Sequence, residues 1–298
     1  MASSVPHPFP YQGSKRNIAH HILPRLPSDT DRLIEPFCGS AAVSIAAAFH
    51  GVASRFELND VNTTLMDLWD EILHRPGELA FQYEQLWNAQ YPDSHEHFYR
   101  VRSEFNRTHL PHHLLYLLAR IVKGAVRYSS DGLFNQSLDK RRNGMQPSKM
   151  RRQIYAVSNL LAGRTDLSAV DFRDVVLNAT PADVVYMDPP YQGTSFSRDH
   201  RYFSGVTYNE LADVLSLMNL KGISFMVSYD GRTGDKAHGK ALPEELRLVR
   251  LEIHAGKSSQ STLLGQDQDT VESLYLSPAL MERLGGYTER GLLSFAPG

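Results

Sequence analysis

The sequence is poor in cysteine: Cys38 is the only one, which excludes an internal disulfide framework. Reduced thiols are typical of the cytoplasm, and we expect the protein to reside there. No apolar run approaches the length that a membrane-spanning helix needs, and residues 1–16 lack the apolar stretch of a signal peptide. We therefore expect no membrane partner and no secretory segment.

Two ligand signatures are absent as well. There is no G-x-G-x-x-G motif, which disfavours a dinucleotide, because its pyrophosphate needs that cradle. The histidines have no recognised metal-ligand spacing, so we expect no bound metal. The net charge of -2 across 298 residues decides nothing about nucleic acid, since the distribution of charge matters more than its sum.

What the sequence does contain is an alternation of strands and helices, interrupted in the middle. The expected strands are residues 32–37, 54–60, 167–172, 183–187, 223–231, 249–255 and 271–277. The expected helices around them are residues 39–51, 61–73, 148–163 (capped by Ser148) and 207–222 (opened by a Thr207–Glu210 capping box). The last two strands have no helix between them, which predicts an antiparallel hairpin on the edge of an α/β sheet.

The middle of the chain has a different character. Residues 78–126 follow a helical pattern, whereas residues 127–148 hold turn formers, amides and bases without periodicity. The latter segment is predicted to be a loop or hairpin, and long loops of this kind are often functional. We therefore divide the chain into an α/β catalytic domain, residues 1–75 and 149–298, and a mostly helical insertion, residues 76–148.

Positive charge is concentrated in this part of the chain. Residues 120–152 contain nine lysines and arginines but only two acids, which gives a local excess of seven positive charges. Such an excess predicts a phosphate-binding surface. The alternative is a basic face that only contacts solvent.

Short stretches typical of a nucleotide-type cofactor pocket also occur. In "EPFCGSAA", residues 35–42, Gly39 lets the backbone approach a ligand where a strand enters a helix. Asp60 ends the next strand, where a carboxylate can bond ribose hydroxyls, and Asp171-Phe172 ends a later strand beside a candidate adenine site. A single strand–Gly–helix turn is equally often plain packing.

The stretch "VVYMDPPY", residues 184–191, places an acid, two prolines and a tyrosine after a buried strand. Proline cannot continue a central strand, because it lacks the N–H that the ladder needs. The result is a stiff loop that holds the Asp188 carboxylate, free carbonyls and the Tyr191 ring at the C-terminal edge of the sheet, where α/β proteins bind ligands. By itself, Asp-Pro-Pro can also be a simple strand-ending turn.

Five motifs occur in the order typical of one enzyme family. They are "PYQGSKR" (10–16), "EPFCGSAAV" (35–43), "NDVN" (59–62), "RYSSDGLFNQSLDKRRNG" (127–144) and "DPPY" (188–191). On these motifs the chain resembles the Dam-like, alpha-order DNA adenine methyltransferases, which use S-adenosylmethionine. The resemblance implies a Rossmann-like methyltransferase sheet with a helical DNA-recognition insertion. One departure is Ala41, which stands where the family has a second glycine.

The resemblance also implies roles for individual residues. The cofactor would contact Tyr11, Gly13, Lys15, Glu35, Phe37, Gly39, Asp60, Asp171, Phe172 and Asp188. Duplex DNA would contact Arg127, Phe134, Asn135, Lys140, Arg141, Arg142 and Asn143. The catalytic residues would be Asp188, Pro189, Pro190 and Tyr191.

The chemistry of adenine methylation gives this tetrapeptide a purpose. The amino nitrogen of adenine is a poor nucleophile, because its lone pair is delocalised into the ring. Two acceptors, the Asp188 carboxylate and the Pro189 carbonyl, would bind its two N–H groups and shift that pair toward the methyl donor. Tyr191 offers a face on which a flipped base can stack.

We therefore expect a site-specific methyltransferase that modifies N6 of adenine in duplex DNA by base flipping, without a metal. The alternatives are methylation of cytosine N4 or of RNA, and a catalytically silent DNA-binding module. The sequence contains no nuclease domain, so we expect any partner restriction endonuclease to be a separate chain.

Overall fold

A mixed β-sheet forms the centre of the computed structural model, which describes residues 4–190, 206–233, 236–257 and 269–285. Its strands are β1 (Arg32–Glu35), β2 (Arg55–Asn59), β3 (Thr165–Ser168), β4 (Val184–Met187), β5 (Ser224–Thr233), β6 (Lys236–His238), β7 (Val249–Lys257) and β8 (Asp269–Leu276). Their order across the sheet is β3-β2-β1-β4-β5-β8-β7, and β6 pairs with β5.

Helices cover both faces of this sheet. In the described ranges they are α1 (Ala19–Ile22), α2 (Ala42–His50), α3 (Thr63–His74), α4 (Pro76–Asn88), α5 (Ser94–Thr108), α6 (Pro111–Arg120), α7 (Pro147–Leu161), α8 (Phe172–Leu177), α9 (Tyr208–Leu220) and α10 (Pro278–Arg283). Short 3₁₀ turns lie at Lys15–Asn17, Leu23–Arg25, Val122–Gly124 and Glu244–Leu246. None of the helices in these ranges combines the length and the apolar character that crossing a membrane requires.

The strands from β3 to β5 run parallel to one another, so their C-terminal ends share one edge of the sheet. The strand order reverses between β1 and β4, because β2 and β3 follow β1 on one side and β5 follows β4 on the other. Ligands of α/β proteins bind outside the carboxyl ends of the strands at such a reversal. The predicted α/β fold class is confirmed, and this edge is where a site is expected.

The last strands form the antiparallel hairpin that the sequence predicts. β7 pairs with β8 and is the final strand in the order, and β8 also pairs antiparallel with β5. A β-bulge interrupts the β5–β8 ladder between Ser228 and Gly231, and Asp230 inside it has a φ of 55°. Bulges of this kind are common beside active sites, because they change the direction of a side chain.

The central strands β1, β4 and β5 divide their side chains between two apolar layers. On β1, Leu33 is buried in a layer with Trp69 of α3, whereas Ile34 is buried in the opposite layer with Val185 and Phe225. The first layer continues into α4, α5 and α6, so the insertion shares its core with the α/β part. Each large apolar side chain buried there contributes about 1.5–3 kcal/mol, which gives the surface loops of the insertion a rigid support.

Helix boundaries follow the capping chemistry more closely than the apolar pattern. The Thr207–Glu210 capping box is present at the start of α9, as expected. The helix expected to be capped by Ser148 begins one residue earlier, at Pro147, and has no side-chain cap. Proline suits the first position of a helix, since the N–H that it lacks would be unsatisfied there. The helical pattern that runs to residue 126 ends as an α-helix at Arg120.

The strand expected at residues 167–172 is shorter than its pattern suggests. β3 ends at Ser168, and Asp171 caps α8 by accepting the N–H of Arg173. Val170 and Phe172 extend the strand-like alternation, but an aspartate that accepts an N–H two residues ahead begins a helix instead. Phe172 is therefore the first residue of α8.

Candidate active site

Three of the predicted acids lie at the carboxyl edge of the parallel strands. Glu35 is the last residue of β1, Asp60 is the first residue after β2, and Asp188 is the first residue after β4. β1 and β4 are neighbours on the two sides of the reversal in strand order. The fold therefore brings residues from distant parts of the sequence to the edge where ligands bind.

Asp188 belongs to an ion-pair cluster with Lys15 and Glu272, which we name the carboxylate–lysine cluster. Nζ of Lys15 lies 3.0 Å from Oδ1 of Asp188 and 3.1 Å from Oε2 of Glu272. The Lys15 side chain is 7% exposed, and the two carboxylates are 20% and 21% exposed. With both acids ionised, one ammonium faces two carboxylates, so the cluster is negatively charged.

The charge on Asp188 is sensitive to mild acid. Burial raises the pKa of Asp188 to about 6; Lys15 opposes this rise, and Glu272 adds to it. Asp188 is therefore ionised at neutral pH and accepts a proton as the solution becomes moderately acidic. The buried hydroxyl of Tyr186 on β4 lies 2.7 Å from Oγ of Ser228 on β5, which places a neutral polar pair between these two strands.

The prolines after Asp188 leave the sheet, as expected. β4 ends at Met187, and the following Pro189 is buried while Pro190 is partly buried. The proline ring fixes φ of Pro189, one of the torsions that set the separation between the Asp188 carboxylate and the Pro189 carbonyl. Tyr191 lies outside the described residues, so its stacking role stays a prediction.

The N-terminal motif contacts both the first glycine turn and the insertion. A Cβ on Gly39, whose φ is 47°, would lie 3.0 Å from Cε1 of the Tyr11 ring. Gln12 donates its N–H to the Gly124 carbonyl over 3.0 Å. A Cβ on Gly124 would lie 2.6 Å from the carbonyl of Pro10. The predicted cofactor segment is therefore held between two glycines, each at a close approach that a larger residue would disturb.

Gly13 lies in the tight turn of this segment. Its φ is 82°, and across the turn Ser14 donates its N–H to the Tyr11 carbonyl over 3.2 Å. Oγ of Ser40 lies 2.8 Å from Oγ of Ser14, which links the turn to the start of α2. Gly13 therefore shapes the backbone that carries Tyr11 and leads into Lys15.

The start of α2 is held by Glu35. Its Oε1 accepts the N–H of Ser44 over 2.6 Å, the side chain is 3% exposed, and burial raises its pKa to about 7. Ala41, at the position of the family's second glycine, has a φ of 47°. This conformation costs a non-glycine residue about 1–3 kcal/mol, so the turn keeps a glycine-like backbone at some expense of stability. A cofactor contact through Glu35 stays a prediction.

Asp60 braces the same turn from β2. Its Oδ2 accepts the N–H of Gly39 over 3.2 Å, and its Oδ1 accepts the N–H of Asn62 over 3.0 Å. Burial raises the pKa of Asp60, and these two hydrogen bonds oppose the rise. A carboxylate offers about four acceptor positions, so Asp60 keeps capacity for hydroxyl donors of a ligand.

Two aromatic rings lie beyond the ends of β1 and β3. The ring centroids of Phe37 and Phe172 are 5.0 Å apart, with an angle of 34° between the ring planes. Phe172 is buried and Phe37 is partly exposed. Asp171 is exposed and pairs with Nε of Arg173 over 2.7 Å. The two rings thus lie side by side, and their contact with a cofactor stays a prediction, whereas the carboxylate of Asp171 is engaged by its own helix.

Asn59 is a residue of this edge that the sequence analysis missed. It is 1% exposed, and its Nδ2 donates to the carbonyls of Pro36 and Val170, each over 3.0 Å. Its Oδ1 accepts from Oγ of Ser168 over 2.8 Å. Asn59 therefore ties together the ends of β1, β2 and β3. Its position directly before Asp60, at the end of a buried strand, was the available signal.

The predicted DNA-binding segment contains a small hairpin in which Tyr128 and Phe134 pair as an antiparallel bridge. Asn106 of α5 accepts the N–H of Phe134 over 2.8 Å and donates to its carbonyl over 3.0 Å. The ring of Phe134 is 1% exposed and packs edge-to-face on Phe105, with centroids 5.8 Å apart. This corrects the expectation that Phe134 approaches DNA, because its side chain is part of the core of the insertion.

The other residues expected to contact DNA lie on the surface. The exposed side chains are those of Arg127, Asn135, Lys140, Arg141, Arg142 and Asn143. Asp139 shapes the backbone between them: its Oδ1 accepts the N–H of Arg141 over 3.0 Å, and its Oδ2 lies 3.2 Å from Nε of Arg142. We name residues 139–145 the basic loop.

A buried polar network supports the basic loop. Arg120, which the charge count treats as part of a surface, is 1% exposed and contacts Gln90 and the Tyr116 hydroxyl. The Arg120 carbonyl accepts the N–H of Asp139 over 2.8 Å, and Gln90 donates to the Asn143 carbonyl over 3.3 Å. The excess of positive charge on the surface is therefore smaller than the count from the sequence. The basic loop is nevertheless held in place by hydrogen bonds to the buried Arg120 and Gln90.

Acids dominate the charge of the strand edge. Glu35, Asp60, Asp188 and Glu272 lie there, with Lys15 between the last two. An excess of carboxylates suits a cationic ligand better than a phosphate. In the described ranges, no group of three or more His, Cys, Asp or Glu side chains is arranged to hold a metal ion.

Several proteins of similar sequence are adenine methyltransferases by name. The chain is 26% identical to the DNA N-6-adenine-methyltransferase of Escherichia phage P1 over 75% of this chain and 29% of that protein. It is 26% identical to the type II methyltransferase M1.LlaDCHI of Lactococcus lactis subsp. cremoris over 89% of this chain and 94% of that protein. It is 29% identical to the retron Ec67 DNA adenine methylase of Escherichia coli over 73% and 75% of the two chains. The chain thus spans less than a third of the phage protein but most of the other two.

The sequence model of one protein family matches most of this chain. The model of the D12 class N6 adenine-specific DNA methyltransferases matches residues 11–261. The matched range begins at Tyr11, includes Gly39, Asp60 and Asp188, and ends before Glu272. The chain therefore belongs to the family of D12 class N6 adenine-specific DNA methyltransferases.

Proposed function

We propose that this chain transfers a methyl group from S-adenosylmethionine to N6 of adenine in duplex DNA, at a specific site. The observation that carries the proposal is Asp188, a carboxylate on a proline-stiffened segment at the reversal of strand order, 3.0 Å from Lys15. Membership of the family supports the reaction and the target base.

The residues of the strand edge fit S-adenosylmethionine. When bound, this cofactor supplies a methyl group activated by a positively charged sulfur. Asp60 would accept ribose hydroxyls, and Phe37 and Phe172 would contact the adenine ring. Tyr11 and Gly39 would border the cofactor together, because the Tyr11 ring packs against the Gly39 backbone, where a Cβ would lie 3.0 Å from its Cε1. The excess of carboxylates favours the positive charge of the sulfonium.

Asp188 would act on the target amino group. As an ionised carboxylate it is an acceptor only, so it can bind one N–H of adenine N6 and draw the nitrogen lone pair out of the ring. The Pro189 carbonyl would bind the other N–H, and the fixed backbone holds the two acceptors in one arrangement. The target base must leave the duplex to reach them, because its amino group is otherwise paired.

DNA recognition is assigned to the insertion, residues 76–148, and in particular to Arg127, Asn135 and the basic loop. Arginine pairs naturally with guanine, and asparagine with adenine, in the major groove. The basic loop places both residue types next to one another on a surface that the buried Arg120 network holds in shape.

The basic loop yields a test of this assignment. If Arg141 contacts a phosphate, Arg141→Ala is expected to weaken binding to all duplexes and reduce the salt slope by about one unit. If it reads a base, the change is expected to relax specificity at one position and cost about 1–3 kcal/mol there. The same alternatives apply to Arg142, whose pairing with Asp139 over 3.2 Å also restrains its side chain.

The measurement is duplex affinity against salt, on methylatable and scrambled sequences. Arg55→Ala is the matched control, because this arginine is 62% exposed and pairs with Asp31 at the opposite, N-terminal end of β2. It is expected to change neither affinity nor slope. If Arg141→Ala and Arg142→Ala behave like this control, the basic loop does not bind DNA.

The reaction itself is tested by exposing plasmid DNA to the protein with isotopically labelled S-adenosylmethionine. Mass spectrometry of the nucleosides is expected to show labelled N6-methyladenine, and sequencing of modified bases is expected to place it at one recurring sequence. N4-methylcytosine, or methylation of RNA alone, would replace the proposed substrate. Binding of DNA without any methylated base would indicate the silent module instead.

The biological setting follows the same proposal. A relative over most of this chain is named a type II methyltransferase, which supports a role beside a restriction endonuclease carried on another chain. Double-stranded DNA is the partner on which the proposal depends. The cytoplasmic location expected from the single cysteine accords with access to DNA.

A further inference from the structure

We propose that Glu272 is a positioning residue for methyl transfer, which shares the Lys15 ammonium and so leaves the ionised Asp188 carboxylate incompletely neutralised as an acceptor for the adenine amino group. The inference rests on the proposed function. It adds a residue that lies outside the range matched by the family, residues 11–261.

Glu272 reaches the site from the antiparallel hairpin rather than from the parallel strands. It lies on β8 in register with Gly231 of β5, directly after the bulge. A Cβ on Gly231 would lie 2.6 Å from the Val271 carbonyl, so the two strands approach closely at this point. From there the Glu272 carboxylate extends to within 3.1 Å of Nζ of Lys15. The edge hairpin thereby completes a cluster that the first part of the chain begins.

The second carboxylate changes what the first can do. Lys15 and Asp188 alone would form a neutral pair, in which the ammonium occupies one carboxylate oxygen and weakens it as an acceptor. Since Lys15 is shared, the cluster keeps an excess negative charge. As the N6–C bond forms and the S–C bond breaks, positive charge builds on N6 until N6 releases a proton, for which Asp188 is the adjacent base. A negative cluster stabilises that charge.

A purely structural role predicts something different. If Glu272 only neutralises the buried Lys15, removing its charge would still lower the pKa of Asp188, but kcat and the acidic limb of the pH–rate profile would not change. The ionisable groups that interact with Asp188 lie on four elements: Lys15 before α1 and Glu272 on β8 shift the pKa of Asp188, and Glu35 at the end of β1 and Tyr186 on β4 feel its charge. Among them, Glu272 can be changed to a neutral isostere without removing a predicted cofactor contact.

The first test follows the Asp188 carboxyl carbon by NMR in protein labelled with ¹³C-aspartate, with the signal assigned from Asp188→Asn. The titration midpoint in the unchanged protein is expected at about 6. Glu272→Gln is expected to lower it by at least about half a pH unit, because a neighbouring negative charge is lost. Glu252→Gln is the matched control: this carboxylate lies on adjacent β7, is 50% exposed and pairs with Arg232, so the midpoint should stay.

The second test follows methylation. Glu272→Gln is expected to shift the acidic limb of the pH–rate profile in the same direction and to lower kcat about tenfold at pH 8, with KM for DNA unchanged. Glu272→Asp, which keeps the charge, is expected to restore both the limb and part of kcat. If Glu272→Gln destabilises the protein, Glu272→Met removes the same charge without burying an amide.

The outcomes separate the inference from the function on which it rests. An unchanged Asp188 midpoint in both neutral variants would overturn the inference, even if the protein methylates adenine. A shifted midpoint with an unchanged limb and kcat would also overturn it, because the charge would then not matter for the reaction. Failure of the unchanged protein to methylate any nucleic acid would instead refute the proposed function.

Discussion

Asp188→Ala is expected to lower the rate of methyl transfer by at least about 10²–10³-fold, the loss typical of removing one preorganised group that stabilises developing charge. Asp188 is the charged acceptor of the tetrapeptide. Within the carboxylate–lysine cluster, it is the residue that directly precedes the stiff Pro189–Pro190 segment. The fold should survive the change, because Lys15 keeps a carboxylate partner in Glu272 at 3.1 Å. DNA affinity should remain, since the basic loop is untouched.

The measurement is a single-turnover rate with saturating cofactor and a methylatable duplex, accompanied by a thermal melt. Asp188→Asn is the informative comparison, because it retains an acceptor oxygen but has no charge and no carboxyl group to titrate. We expect it to lie between Ala and the unchanged protein and to lack the acidic limb. A rate for Asp188→Ala within about threefold of the unchanged protein would remove Asp188 from the mechanism.

The acidic limb follows from the raised pKa of Asp188. Because its pKa is about 6, the carboxylate is ionised above this pH and protonated below it. Protonation removes its negative charge and turns one oxygen into a donor, which weakens it as an acceptor for the amino group, so kcat/KM is expected to fall as the pH drops through about 6. An ordinary aspartate would place this limb near pH 4.

Some features of this site were predictable because they depend on local chemistry. The tetrapeptide ends β4 where prolines must leave the ladder, and the Thr207–Glu210 box opens α9 through its own side chains. The antiparallel hairpin follows from two alternating segments with no helix between them. In each case the residues that decide the structure are close together in the sequence.

Other features depend on contacts between distant residues. Phe134 looks like an exposed aromatic in a polar loop, yet α5 supplies the Phe105 ring and the Asn106 amide that bury it. Arg120 counts as a surface base, yet Gln90 lies beside it in the core. Glu272 looks like a solvent-facing polar residue of the C-terminal hairpin until Lys15, from the other end of the chain, is placed 3.1 Å away. Periodicity carries no information about such pairs.

Asp60→Ala is expected to raise the Kd for S-adenosylmethionine about 10- to 100-fold, because hydrogen bonds from ribose hydroxyls to a charged acceptor contribute roughly 1.5–3 kcal/mol. Part of the loss would come from the turn itself, since Asp60 also accepts the N–H groups of Gly39 and Asn62, over 3.2 Å and 3.0 Å. The affinity for duplex DNA without cofactor should change far less, because the basic loop is supported by other residues. Calorimetric titration measures both constants.

A thermodynamic cycle separates the direct contact from the support of the turn. Binding is measured for the unchanged protein and for Asp60→Ala, each with S-adenosylmethionine and with an analogue that lacks the ribose hydroxyls. If Asp60 binds the hydroxyls, the substitution should cost much less with the analogue than with the cofactor. Asp166→Ala, an exposed acid on adjacent β3, is the control and should leave both constants unchanged. Equal losses with the two ligands would limit Asp60 to bracing the Gly39 turn, and no loss with either would place the ribose elsewhere.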